Sequence, residues 1–240
     1  MDLRVISLST PEENILFDQV LLERAEQGLS GEVLRFWESE KTFIVLGKTS
    51  QAGKEIVADH VERDHVPVIR RTSAGGVVVQ GKGCLNFTLI LSKARNPELI
   101  TITSSYTFIL NKVVSALDSL GVKASFYPPC DLALTHNQRK FSGNAQRRGK
   151  KFILHHGTVL HHFDIRLAEK YLQLPEKMPV YREGRFHQDF MANIDQDPRD
   201  IIAAFAKVFR TSTMNHRVAA QELTYCQRLL KEGKFQGKLY

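Results

Sequence analysis

Three cysteines in 240 residues, Cys84, Cys130 and Cys226, are too few, too scattered and odd in number for a disulfide framework. They form no C-x-x-C pair, which argues against a zinc site built on cysteine. No run approaches the roughly 18 apolar residues of a membrane span. The opening MDLRVISLSTPEEN lacks a basic stretch followed by a long apolar core, so no secretory signal is expected. These absences predict a cytoplasmic protein with no membrane partner. Zinc-finger spacing, an RNP aromatic motif and a helix-turn-helix pattern are missing too, which makes nucleic acid an unfavoured partner.

What is present is ordinary globular usage, 42% hydrophobic and 25% charged. The length suits one large domain, or one domain with an appendage, and roughly 70% of the unfolded surface is removed at this size. The net charge of +7 matters less than its concentration in RKFSGNAQRRGKK, Arg139 to Lys151. Such a run serves a nucleotide, an acidic protein or a nucleic acid, or is a solvated loop.

Thr10, Pro11 and Glu13 make a capping box that predicts a helix running to Gly28. EVLRFWES and KTFIVLGK read as two strands joined by a short turn, followed by strands in VPVIRR, GGVVVQ and GCLNFTLILS. Phe108, Ile109, Lys112, Val113, Ala116, Leu117 and Leu120 recur at helical spacing. KASFY, CDLALT, RKFSGNAQRR and KFILHHGTVLHH give a second set of strands, and FDIRLAEKYLQL a short helix with Asp164 as its cap. PEKMPVYREGRFHQDF is expected to wind over the surface, and two helices close the chain, near 198–210 and 217–231. Strands in runs with helices covering them mean an α+β fold with mixed or antiparallel sheets.

Three stretches could carry chemistry. Arg70 and Arg71 precede Ser73, Ala74, Gly75 and Gly76, then the strand Val77, Val78, Val79. Glycines with free N–H groups form an anion nest, and arginine adds a bidentate fork for phosphate or carboxylate; a hairpin with charged flanks explains the same residues. The strand after the glycines excludes a Walker loop and a dinucleotide fingerprint, both of which open a helix. Lys140, Ser142, Gly143, Asn144 and Ala145 put an ammonium beside a hydroxyl and flexible backbone, or form a charged edge strand. His155, His156, Gly157 and Thr158 lie on a strand where His156 and Thr158 share a face. No carboxylate or cysteine sits near these histidines at metal-ligand spacing, so Gly157 speaks instead for close approach of backbone or ligand. Cys130 beside Asp131 allows a nucleophile reading or an inert small residue.

Taken in this order, the chain resembles the lipoate–protein ligase A family of the biotin and lipoate protein ligases. LRFWESEKTFIVLGKTSQ, RRTSAGGVVVQGKGCLNF and CDLALTHNQRKFSGNAQRRGKKFILHHGTVL carry the resemblance over most of residues 1–175. It implies a catalytic domain at 1–180, with residues 181–240 as a loop and two-helix extension packed on it. The implied reaction uses ATP and Mg²⁺ to convert lipoate or octanoate to an acyl-adenylate. The acyl group then passes to a lysine of a lipoyl acceptor domain. Lys140 matches the catalytic lysine, and Arg71, Ser73, Gly75, Gly76, Val77, Val78, Val79, Ser142 and Ala145 match adenylate-binding positions. Trp37, Gly76, His156, Gly157 and Thr158 match the lipoyl tunnel, and Asp131 an acidic residue for Mg²⁺ or for the incoming lysine. An apolar tail implies an apolar tunnel. Departures are Ala74 for a usual glycine, Gln80 for a common histidine and Lys48 for an arginine. The short C-terminal region implies a core that works alone, a separate accessory protein, or a preformed acyl donor. A cysteine-dependent octanoyl or lipoyl transferase of the same fold and a non-catalytic basic binding protein are the alternatives.

Overall fold

The computed structural model describes residues 1–212 and 214–233. The remainder of the expected 181–240 extension, residues 213 and 234–240, lies outside the described residues. The strands are β1 (Asp2–Val5), β2 (Val33–Trp37), β3 (Phe43–Leu46), β4 (Val68–Arg70), β5 (Val78–Gln80), β6 (Cys84–Ser92), β7 (Ala124–Tyr127), β8 (Asp131–Leu134), β9 (Lys140–Arg148), β10 (Phe152–Leu160) and β11 (Met214–Asn215). The helices are α1 (Pro11–Glu26), α2 (Ala52–Glu55), α3 (Ala58–Arg63), α4 (Ile102–Asp118), α5 (Arg166–Tyr171), α6 (His187–Phe190), α7 (Pro198–Val208) and α8 (Ala220–Lys231). None of the described helices is long and apolar enough to cross a membrane.

Eight strands form the large sheet in the order β11-β1-β2-β6-β10-β9-β8-β7, and β4-β3-β5 form a small one. All nine residues of β6 are buried, because helices cover both faces of the large sheet. The period-2 alternation divides its side chains. Leu89 and Leu91 join the core under α4 and α7, while Ile90 joins the core under α1 and α8. α4 presents Ile109, Leu110, Val113, Ala116 and Leu117 to that first core. α7 adds Phe205, which meets Phe36 and Phe87 edge-on at centroid distances of 5.5 and 5.2 Å. Truncating such a buried ring to alanine costs about 3–5 kcal/mol.

The α1 capping box forms as expected: Glu13 N–H donates to Thr10 Oγ1 at 3.2 Å and Thr10 N–H to Glu13 Oε2 at 3.0 Å. Other expectations are corrected. β2 and β3 are not a hairpin: β2 continues the large sheet beside β6, and β3 is the centre of the small one. The arginine–glycine loop is not a hairpin turn either, since β4 and β5 flank β3 on opposite sides. Asp164 sits one residue before the Ile165 cap of α5, where its carboxylate still accepts the Arg166 N–H. The segment expected to wind over the surface turns inward at residues 181–190. Arg182 is buried with its guanidinium 4.6 Å from the Phe190 ring, and Tyr181 stacks on Tyr127 at 4.4 Å.

Candidate active site

The register of the large sheet brings five strands into one line. Trp37 of β2 faces Asn86 of β6, Asn86 faces Thr158 of β10, Thr158 faces Gly143 of β9, and Gly143 faces Asp131 of β8. All five residues line one cavity of about 160 Å³. Four inter-strand spacings make this line about 19 Å long. The adjacent line, Thr88, His156 and Ala145, lies two residues along the same strands and lines the cavity too. Val45, Val78 and Gln80 of the small sheet, with Gly75, Gly76 and Val77 of the loop before it, line the cavity as well.

At one end, the Lys140 ammonium lies 2.7 Å from Asp131 Oδ1, and Tyr181 O–H donates to Asp131 Oδ2 at 2.8 Å. Both carboxylate oxygens are therefore engaged. Burial, reinforced by the Asp131 charge, pushes the Tyr181 phenol up, so it donates throughout the ordinary pH range. Cys130 lines the same end, and burial followed by the Asp131 charge raises its thiol. That keeps the thiol protonated, the reverse of what nucleophilic catalysis needs.

Arg71 holds the glycine loop. Its Nη2 donates to the carbonyls of Ala74 (3.1 Å) and Gly76 (2.9 Å), its Nε is buried with no partner among the described residues, and burial lowers it to about 10. The left-handed backbone of the loop falls on Gly75, at φ +105°, and not on Ala74. A Cβ at Gly75 would also lie 2.8 Å from Arg71 Nη2, so glycine is needed there on both counts. The alanine departure leaves the loop intact. Arg70 donates from Nη1 to the carbonyls of Gly47 and Ser50, tying down the neighbouring turn.

A buried relay supports the middle of the cavity. Arg35, fully buried, pairs with Asp18 Oδ1 at 2.7 Å and donates to Asn14 Oδ1 at 2.6 Å. Burial opposes the Asp18 carboxylate, but the hydrogen bond from His156 and the Arg35 charge outweigh it and lower its pKa. His156 Nδ1 faces Asp18 Oδ2 at 3.4 Å, and its Nε2 shares a hydrogen bond with the Ser73 hydroxyl at 2.7 Å. A second relay lies under β9. Gln146 Nε2 meets His155 Nδ1 at 3.1 Å, His155 Nε2 meets Asn144 Oδ1 at 3.2 Å, and Asn144 Nδ2 donates to the Cys130 carbonyl at 2.9 Å. Burial pulls His155 down to about 3, so it is neutral and can bridge in this way. A Cβ at Gly157 would fall 2.0 Å from Asn144 Oδ1, which is the close approach its strand position implied.

Of the residues singled out in the sequence, Trp37, Arg71, Gly75, Gly76, Val77, Val78, Asp131, Lys140, Ala145, His156, Gly157 and Thr158 line this cavity. Ser73, Val79 and Ser142 lie outside the lining. Ser73 is buried behind His156. Val79 points from β5 into the core with Ile44 and Val68. Ser142 shares a cross-strand row with Leu132 and Val159 of the main core. Sequence reading missed Asp18, Asn86 and Tyr181. Asn14, Asp18 and Ala25 share the buried side of α1, and polar residues on an otherwise apolar stripe are the signal that could have found Asp18. Tyr181 carries no comparable periodicity. A larger open groove of about 480 Å³ lies between α1 and α8, but its lining offers Arg24, Arg228 and Tyr225 without a lysine, carboxylate, histidine or thiol. The lysine, carboxylates, histidine and thiol gather in the smaller cavity instead.

Residues 10–210 match the lipoyl protein ligase A/B catalytic domain model. The chain belongs to this family. It is 31% identical over 186 residues to a probable lipoate-protein ligase A of Mycoplasma pneumoniae, covering 78% of this chain and 53% of that protein. The chain thus spans about half the length of the curated relatives it matches. Two solved structures share the ligase fold. One is the bipartite lipoate protein ligase of an archaeal lipoylation system, from Thermoplasma acidophilum, studied with its E2 lipoyl domain. It has a TM-score of 0.78 at 21% identity, over 100% of this chain and 98% of that one. The other is a lipoate-protein ligase A bound with ATP, with a TM-score of 0.80 at 20% identity over the whole of both chains.

Proposed function

We propose that this protein is an ATP-dependent lipoate–protein ligase. It activates lipoate or octanoate as the acyl-adenylate and transfers the acyl group to a lysine of a lipoyl acceptor domain. The observation that carries this reading is the single cavity that runs from Trp37 to Lys140 and Asp131, with the Arg71 loop along its wall. Its length of about 19 Å suits an extended acyl chain with a carboxyl at the charged end.

Activation brings two anions together, the acyl carboxylate and the α-phosphate, and releases pyrophosphate. Lys140 supplies a compact, mobile ammonium that leaves Asp131 to follow charge between the two groups. The unpartnered Nε of Arg71 and the Gly75–Gly76 backbone offer donors for phosphate oxygens. In the second half-reaction the acceptor amine attacks the acyl carbonyl, an amide forms, and AMP leaves with the bonding electrons. Asp131, freed as Lys140 moves, can orient the incoming ammonium and accept its proton. Mg²⁺ shields the phosphates in this chemistry. Among the described residues, Asp131 is the carboxylate paired with Lys140, and it would help to hold the ion once Lys140 has moved. The division into a 1–180 core and a packed 181–240 extension, and a cytoplasmic setting, belong to the same proposal.

The test incubates the protein with ATP, Mg²⁺, lipoate and a panel of lipoyl acceptor domains, read by intact mass. The expected result is a lipoyl mass increment that disappears when ATP is omitted. Modification without ATP, from an acyl-thioester donor and abolished in Cys130→Ser, would point to the transferase reading instead.

A further inference from the structure

The resemblance implied an apolar tunnel for the acyl tail, yet the end of the cavity remote from Lys140 is not apolar. Gln80, Asn86, Thr158 and Trp37 line it together with Ile15, Val45, Val78 and Phe87. The polar groups form a chain of fixed direction. Asn86 Nδ2 donates to the Cys84 carbonyl at 3.2 Å, which leaves Asn86 Oδ1 to accept the Thr158 hydroxyl at 2.7 Å. Thr158 has then spent its proton, so it accepts from Gln80 Nε2 at 2.7 Å. This sequence of donors sets the Gln80 amide: its nitrogen faces Thr158, and its oxygen is the free end.

That oxygen has no hydrogen-bond partner among the described residues, although Gln80 is 5% exposed. The same is true of the indole N–H of Trp37, at 3% exposure. The two are neighbours through Phe43, which pairs with Gln80 across β3 and β5 and stacks on Trp37 at 6.4 Å. One unpaired acceptor and one unpaired donor therefore belong to the same end of the cavity. Both atoms are already closed off from solvent, a plain alkyl tail offers a partner to neither, and a buried polar group left unpaired is costly.

We propose that this end selects an acyl tail terminating in a group that both donates and accepts a hydrogen bond, a thiol or a hydroxyl. Gln80 is the residue that discriminates against a plain alkyl tail. The inference rests on the ligase reading and narrows its substrate. Octanoate satisfies neither polar atom. A closed dithiolane can accept from Trp37 only. The dithiol of reduced lipoate, or a terminal hydroxyl, answers both.

The experiment is calorimetric binding of four acids to the native protein in the presence of α,β-methylene ATP, which cannot release pyrophosphate, and under anaerobic reducing conditions where needed. The acids are octanoate, lipoate, dihydrolipoate and 8-hydroxyoctanoate. A site built to pair a polar group discriminates strongly against the analogue that lacks it. The expected result is that dihydrolipoate and 8-hydroxyoctanoate each bind at least roughly tenfold tighter than octanoate, with lipoate between. A gain for dihydrolipoate alone makes sulfur the recognised atom, and an equal gain for both makes it the donor–acceptor pair; either supports the proposal. In Gln80→Leu the gap to octanoate should close, while Gln80→His, which keeps an acceptor, should restore part of it. Octanoate binding as tightly as both polar acids in the native protein overturns the proposal without any variant. A gap that persists unchanged in Gln80→Leu overturns the role of Gln80. Failure of all four acids to bind overturns the ligase reading itself, and this proposal with it.

Discussion

Two ion pairs of equal length sit within this site and differ in almost everything else. Arg35 and Asp18 meet at 2.7 Å with side chains 0% and 4% exposed; Lys140 and Asp131 meet at 2.7 Å with side chains 25% and 8% exposed. The first is a planar fork clasped between the rings of Phe17 and Trp37, at 4.9 and 5.4 Å, with further bonds to the Ile6 and Asn14 carbonyls. Every donor has a partner and nothing is left to move. The second is a point charge on a flexible stem at the start of β9, with part of its surface open to the cavity. On the proposed function, the difference separates a foundation from a reactive group. Where both partners are sealed, removing one strands the other. Where one partner reaches a cavity, it can exchange its carboxylate for a ligand.

The largest expected effect breaks the foundation. Arg35→Met leaves Asp18 charged and buried, and should lower unfolding free energy by about 3–5 kcal/mol in denaturant titration. The double change Arg35→Met with Asp18→Leu should recover much of that loss, because an ion pair replaced whole costs less than one broken. A single variant of native stability would show that the pair is not a foundation.

Acid sharpens the same contrast. His155 is buried with its folded pKa near 3, below its ordinary 6.5. As pH falls the unfolded chain takes up this proton first, so stability is fully present above about 6.5 and declines toward 3. At about 1.4 kcal/mol per pH unit the full window amounts to about 5 kcal/mol. His155→Gln should flatten this decline in a pH series of denaturant curves, and an unchanged slope would assign the acid sensitivity elsewhere.

The smallest expected effect lies at the reactive pair. Tyr181→Phe removes one donor from Asp131 and should cost the protein about 1 kcal/mol of stability or less. It should alter the rate of acyl transfer to the acceptor more than the rate of adenylate formation, because Asp131 is the group it holds. Equal effects on both half-reactions, read by single-turnover quench, would place Tyr181 in general packing instead.

The same division explains what could be read from the sequence. The foundation of the fold is periodic, so the α1 capping box, the α4 stripe and the runs of β6, β9 and β10 were all legible. Sheet membership was not. β2 and β3 are close in sequence and have strand character, but nothing local says that Phe43 pairs with Gln80 while Trp37 pairs with Asn86. At the site, the residues that interrupt a pattern were visible: paired arginines before glycines, a lysine beside Ser-Gly-Asn, a glycine within a β-strand. Those that act only through register were not. Asn86 is one of three polar residues in a buried strand, and Tyr181 reaches Asp131 from 50 residues away. Val79 and Ser142 were included with their motifs although strand alternation turns them into the core.

The most direct test of the distinction between the two pairs is lipoate-dependent exchange of labelled pyrophosphate into ATP by Lys140→Ala, measured with its thermal unfolding. The expected result is exchange reduced by at least about a hundredfold with a melting temperature close to that of the native protein. Near-native exchange in this variant would contradict the assignment of Lys140 and, with it, the reading of the cavity as an adenylating site.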